Sequence, residues 1–265
     1  MMKRENRRSR EKKTGKLLWL IPCILVVAVL AGFGGYMLLK EEPEEPKQQE
    51  QKADPAAVEK MYQETKAAAV EEAEDPVRNR IDFEELQRRN PDVYAWINVP
   101  GTNIDYPILR SEEQEDEYYL NRTMDGMYGL PGSIYSEKYN AEDFSDNVTI
   151  VYGHTLPEDG TMFTELKKYR DRAFFDANPY IYIYLPDVTL KYQIFAAVVF
   201  DNRYILGSYD FSKLEDVNAY VSELKNCFEG NINEELPIET KILTLSTCVT
   251  GVPSQRWLVS AVQVP

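Results

Sequence analysis

Twenty-three consecutive residues, 17–39, carry no charged side chain, and no other stretch limits the architecture of this 265-residue chain as much. At about 1.5 Å per residue a helix of that length reaches about 34 Å, enough to cross a hydrocarbon core of about 30 Å. Cleaved secretory signals have a shorter apolar core, about 7–15 residues, and end in small residues. Ala28-Val29-Leu30 and Ala31-Gly32-Phe33 supply such an ending poorly, so the run reads as an uncleaved anchor, with a cleaved signal as the alternative. Its flanks orient it. Eight basic side chains against Glu5 and Glu11 precede the run, whereas Glu41, Glu42, Glu44 and Glu45 follow it. Basic flanks stay in the cytoplasm, which leaves everything after Lys40 outside. Trp19 and Tyr36 sit near the two ends, where amphipathic rings favour the interface.

Charge narrows the partners. The formal net charge is −14; residues 1–16 carry +6 and Lys40 adds one, so residues 41–265 carry −21. Phosphate backbones demand Lys and Arg, so no nucleic-acid partner is expected. Three cysteines occur, Cys23 in the apolar run and Cys227 and Cys248 beyond it. That is too few for a disulfide scaffold, although one Cys227–Cys248 bridge is permitted in an oxidising exterior. With a single histidine, His154, and no Cys-x-x-Cys spacing, neither a metal nor a cofactor is expected. The acidic groups Glu112-Glu113 and Glu115-Asp116-Glu117 read as solvated faces.

Residues 41–54 are Glu, Pro, Gln and Lys with almost nothing to bury, a solvated tether. The stretch 56–74 is a polar helix candidate with Val58, Met61 and Tyr62 on one side, stopped by Pro76. Asp82, followed by Glu85, opens a second helix that ends before Asn90-Pro91. Short β-rich runs follow at 95–99, 104–109, 132–135, 148–152, 180–185, 189–200, 241–245 and 257–264, bounded by Pro, Gly, Asn or Asp. Helical spacing interrupts them at 161–169 and 211–228. Eight short strands with few helices point to a closed or nearly closed β-barrel.

Three residues fall at strand ends. Cys248 ends Thr244-Leu245-Ser246-Thr247-Cys248, Arg256 opens the next strand, and His154 follows Val151-Tyr152-Gly153. A cysteine nucleophile needs thiolate character, which a neighbouring cation supplies. Acyl transfer also needs a proton donor for the leaving amine and donors for the oxyanion. His154 suits the first need and Arg256 the second. Each alone also reads as an ordinary packed cysteine, turn histidine or surface arginine.

Together, the Thr-Leu-Ser-Thr-Cys run with a following Arg, Tyr-Gly-His upstream and an N-terminal anchor resemble the sortases. Within that family the chain looks most like class B, on Tyr119-Leu120-Asn121, Gly132-Ser133-Ile134-Tyr135, Gly160-Thr161-Met162-Phe163 and the long helix before the cysteine strand. The resemblance spans 81–265. That range is the catalytic domain (81–265); charge and hydropathy divide the rest into a basic cytoplasmic tail (1–16), an anchor (17–39) and an acidic stalk with a possible helix (40–80), which the family pattern does not explain. The resemblance implies a mostly β fold, a closed eight-stranded barrel with N-terminal helices. It also implies a transpeptidase that cuts a sorting signal after Thr and passes the acyl group from Cys248 to an amine of a peptidoglycan precursor or a pilin. His154 would serve as general acid and then base. Arg256 would hold substrate and oxyanion, and Ser246, Thr247, Asn121 and Tyr152 would contact substrate. The residues Val249-Thr250-Gly251-Val252-Pro253 depart from class B in lacking acidic and aromatic side chains after the cysteine. A secreted cysteine protease releasing its product to water shares the same residues and remains the rival reading.

Overall fold

The computed structural model describes residues 53–265, apart from 72–74, 157, 159 and 239. The tail 1–16, the span 17–39 and the stalk before residue 53 lie outside these residues. Among the described residues no helix is long and apolar enough to cross a membrane.

The N-terminal helices form where the sequence caps them. Asp54 accepts the N–H of Ala56 and opens α1 (Pro55–Ala69); Asp82 accepts the N–H of Glu85 at 2.9 Å and opens α2 (Phe83–Arg89). Such side-chain acceptors satisfy donors that the first helical turn leaves unpaired. The apolar side of α1 is not solvated, as a stalk helix would be. Val58, Met61 and Tyr62 are buried, and the Tyr62 hydroxyl donates to the Gly132 carbonyl at 3.0 Å. Asp105 fastens this corner, accepting from Lys66 at 2.7 Å, Arg80 at 2.9 Å and the Trp96 indole at 2.7 Å.

Among the described residues nine strands follow: β1 (Val93–Asn98), β2 (Asp105–Leu109), β3 (Ile134–Tyr135), β4 (Val148–Tyr152), β5 (Tyr180–Tyr184), β6 (Thr189–Asp201), β7 (Gly230–Ile232), β8 (Ile242–Val249) and β9 (Val252–Val264). Their order is β5-β1-β2-β3-β4-β8-β9-β6, and β6 pairs back onto β5, closing an eight-stranded barrel. The short β7 adds to the far half of β6. The β2–β3 and β4–β8 pairs are parallel and the rest antiparallel. Three helices interrupt the strands: α3 (Arg172–Ala177), α4 (Ile205–Ser208) and α5 (Leu214–Lys225). Two 3-10 segments, Tyr118–Asn121 and Thr164–Arg170, complete the set.

Every strand expected from the sequence is present. Unread there were β7, α3, α4 and the first part of β9, which begins at Val252 because Thr250-Gly251 makes a tight turn with Gly251 at φ 77°.

The two-residue period of the strands divides the core. On β9, Trp257, Val259 and Ala261 join the cluster that also holds the buried faces of α1 and α2. Leu258 and Val262 instead join the cluster under α5, with Val217, Tyr220 and Leu224. On that second face Tyr220, Thr244 and Ser260 link their buried hydroxyls at 3.0 and 2.9 Å, so none is left unpaired.

Candidate active site

The parallel β4–β8 pair sets the site. Tyr152 lies opposite Ser246, so His154 and Cys248, each two residues further on, emerge level at the same rim of the barrel. Cys248 in turn faces Arg256 across the antiparallel β8–β9 pair. Directly opposed side chains have Cβ atoms about 4.5–5.5 Å apart and point to one face. Ser246 and Cys248 continue the row of Ile242 and Thr244, on the face that α5 covers further down.

A cavity of about 310 Å³ opens there, and it gathers Cys248, His154, Arg256, Tyr152, Ser246 and Thr247. Asn121 does not line it; its neighbour Leu120 does. Cys248 is exposed, Cys227 is half-buried, and both are free thiols, so the disulfide alternative does not hold. Among the described residues no group of three or more His, Cys, Asp or Glu converges as a metal site.

Backbone packing holds the histidine. The Gly153 N–H donates to the Ser246 carbonyl at 3.2 Å, and the Phe163 N–H to the His154 carbonyl at 3.0 Å. A Cβ on Gly153 would meet Ile134 at 2.5 Å and Phe163 at 2.8 Å, so any larger residue before His154 would force these two buried side chains to shift. The Thr247 hydroxyl donates to the Gly153 carbonyl at 2.7 Å and clamps the same segment. His154 Nε2 lies 2.7 Å from the Leu120 carbonyl. A carbonyl only accepts, so Nε2 carries a proton and Nδ1 is the nitrogen left to exchange one.

Burial holds the His154 pKa below the ordinary imidazole value, against the opposing pull of the Leu120 carbonyl. The uncharged ring is therefore favoured at neutral pH, and the permanent cation beside Cys248 is Arg256. Because the chain has one histidine, a proton NMR titration of the untagged protein reads it directly. We expect a midpoint below about 6.5; a midpoint at or above that value contradicts the burial argument. The sign for stability follows. The unfolded chain takes up this proton first, so stability is complete above about pH 6.5 and declines as pH falls toward the lower folded value.

Arg256 Nη1 donates to the carbonyls of Pro253 and Gln255, both at 3.0 Å, so the guanidinium is fixed by the irregular start of β9. The opposite wall was not read from sequence. Tyr204 and Ile205, in the segment after β6, line the cavity, and the Tyr204 hydroxyl donates to the Glu137 carboxylate at 2.5 Å. Burial raises the Glu137 pKa, and the Tyr204 hydrogen bond opposes the rise. Tyr135 stacks on Tyr152, ring centroids 5.4 Å apart. Nothing local marks Glu137 or Tyr204, although Tyr135 stood within the Gly-Ser-Ile-Tyr run.

Cysteine, histidine and arginine thus stand level at one rim of a closed barrel and line one cavity, a set suited to acyl transfer through a thiol. The sortase domain family model matches residues 97–264. The chain belongs to the sortase family, and within it is most like class B. It is 33% identical over 187 residues to sortase B of Listeria monocytogenes, covering 70% of this chain and 74% of that protein. Sortase B of Bacillus anthracis in complex with AAEK2 superposes with a TM-score of 0.66 at 27% identity, covering 80% of this chain and 98% of that one. The Staphylococcus aureus sortase B–substrate complex gives 0.60 at 28% identity, covering 69% and 84%.

Proposed function

We propose that this enzyme is anchored by residues 17–39 with its barrel outside the cell. There it cleaves a C-terminal sorting signal of surface proteins after a threonine and transfers the acyl group to an amine of the cell wall or a pilin. Cys248 attacks the threonine carbonyl; His154 takes the thiol proton through Nδ1 and returns it to the leaving amine. Arg256 donates to the oxyanion and holds the peptide. An incoming amine then opens the thioester, with His154 relaying its proton. Tyr152, Ser246 and the Tyr204 segment line the peptide path; Thr247 acts through the His154 segment. The observation that carries this reading is the level placement of His154, Cys248 and Arg256 on three adjoining strand ends.

The test is a threonine-containing peptide library incubated with the full chain, with and without an added amine, and read by mass spectrometry. Fragments ending in threonine are expected, as the acid without amine and as the amide with it. Acid product alone in both arms favours the protease reading. No cut after threonine overturns both.

A further inference from the structure

The Leu120 carbonyl that takes the Nε2 proton of His154 sits in the loop 118–133, between β2 and β3. This loop is zipped to itself. The Ser133 N–H donates to the Tyr119 carbonyl at 3.0 Å, and the Gly129 N–H to the Asn121 carbonyl at 2.8 Å. Gly132, at φ 66°, lies directly against the carbonyl that holds the histidine. A Cβ there would meet the Leu120 oxygen at 2.3 Å. Whatever places Gly132 therefore places Leu120.

Both N-terminal helices grip this loop. On α1 the Tyr62 hydroxyl donates to the Gly132 carbonyl and lies 3.1 Å from Ser133 Oγ, which in turn donates to the Arg122 carbonyl at 2.8 Å. Just before α1 the Ala53 N–H donates to the Tyr128 carbonyl at 2.8 Å. Arg89, the last residue of α2, holds the Asp125 carboxylate with two donors at 2.8 and 2.7 Å. Asn90, which ends α2, donates to the Met124 carbonyl at 2.7 Å and to the Tyr119 hydroxyl at 2.9 Å; that hydroxyl donates to Asp92 at 2.7 Å. The helices thus hold both stems of the loop, beside Leu120 and beside Gly132. The sortase family model begins at residue 97, beyond both of them.

We propose that Tyr62 of α1 and Tyr119 of the loop are positioning residues for His154, so that α1, expected from sequence to lie in the stalk, belongs to the catalytic unit. The inference rests on His154 as the proton-transfer group of the reaction above. Tyr62 is buried away from the cavity and touches no reacting atom. It acts through Gly132 and the Leu120 carbonyl, which keeps the proton on Nε2 and so leaves Nδ1 to exchange one. When that carbonyl retreats, the ring is free to turn, and the nitrogen that must meet the thiol is no longer held in one orientation. A small misplacement of this kind lowers the rate without weakening substrate binding. Phenylalanine would fill the same space at position 62, so the hydroxyl is the part that ties the loop.

The test compares Tyr62→Phe with Arg80→Met in the full chain. Arg80→Met weakens the Asp105 corner without touching the loop. Two quantities are read: the kinetics of sorting-peptide cleavage and the imidazole N–H proton of protein labelled with ¹⁵N-histidine. The chain has one histidine, so one such line belongs to His154. Its bond to Leu120 shields it from exchange with water, which makes the line sharp. Tyr62→Phe should lower kcat about tenfold with KM within about twofold, and should broaden or erase the line. Tyr119→Phe, which loosens the other stem, should repeat both effects. Arg80→Met should lower Tm at least as much as Tyr62→Phe and leave kcat and the line unchanged. A normal kcat or an unchanged line in folded Tyr62→Phe protein overturns the positioning role, and so does an equal loss of kcat in Arg80→Met, which would tie the loss to stability. Absence of cleavage by the unaltered chain instead overturns the reading on which the inference rests.

Discussion

Cys248→Ala is expected to abolish cleavage, lowering turnover by about 10⁴-fold or more, because it removes the only thiol among the described residues of the cavity. The fold should survive. Cys248 is exposed at the end of β8, so its truncation leaves no cavity, and a change of less than about 1 kcal/mol is expected. The control is internal. Cys227 is half-buried, its Sγ lies 3.4 Å from the Glu223 carbonyl, and burial pushes its thiol pKa up. Cys227→Ala should cleave at the normal rate, and a peptide adduct should form on Cys248 alone. Turnover within tenfold of normal in a folded Cys248→Ala protein would end the nucleophile assignment.

The second large effect belongs to Arg256. Removing one oxyanion donor costs about 10²–10³ in kcat, and Arg256→Ala should fall in that range. The informative variant is Arg256→Lys. It keeps the charge but loses the planar fork, and one ammonium cannot hold the Pro253 and Gln255 carbonyls as the guanidinium does while still facing the substrate. We expect kcat to drop about 100-fold with a smaller change in KM. A lysine variant with normal kcat would show that charge alone suffices and that the fixed guanidinium geometry is irrelevant.

Strands and caps were legible because their signals are local. Asp54 and Asp82 announce α1 and α2, and each β-rich run between turn residues became a strand. The same kind of signal was present and unread at Asp171, whose carboxylate caps α3 by accepting from Ala173 and Phe174. Three-residue β7 is too short for any period to show. The three residues proposed to react, His154, Cys248 and Arg256, were picked out by family resemblance and strand-end position. What brings them together, the parallel register of β4 on β8, is a long-range pairing that no local pattern encodes. The Tyr204–Glu137 wall was hidden for the same reason, since it joins residues 67 apart in the chain. Asn121 looked like a contact residue, but its short 3-10 segment turns Leu120 to the cavity instead.

That β4–β8 pairing also bears on biosynthesis. Val148 meets Ile242, so the strand carrying the sulfur docks onto the strand leading to the imidazole only after the chain between them has been made and closed up. Contacts so distant in sequence form late and slowly. A partly folded chain can therefore pair Cys248 with Arg256 through the local β8–β9 hairpin but not with His154, so the proposed acid–base partner is the last of the three to arrive.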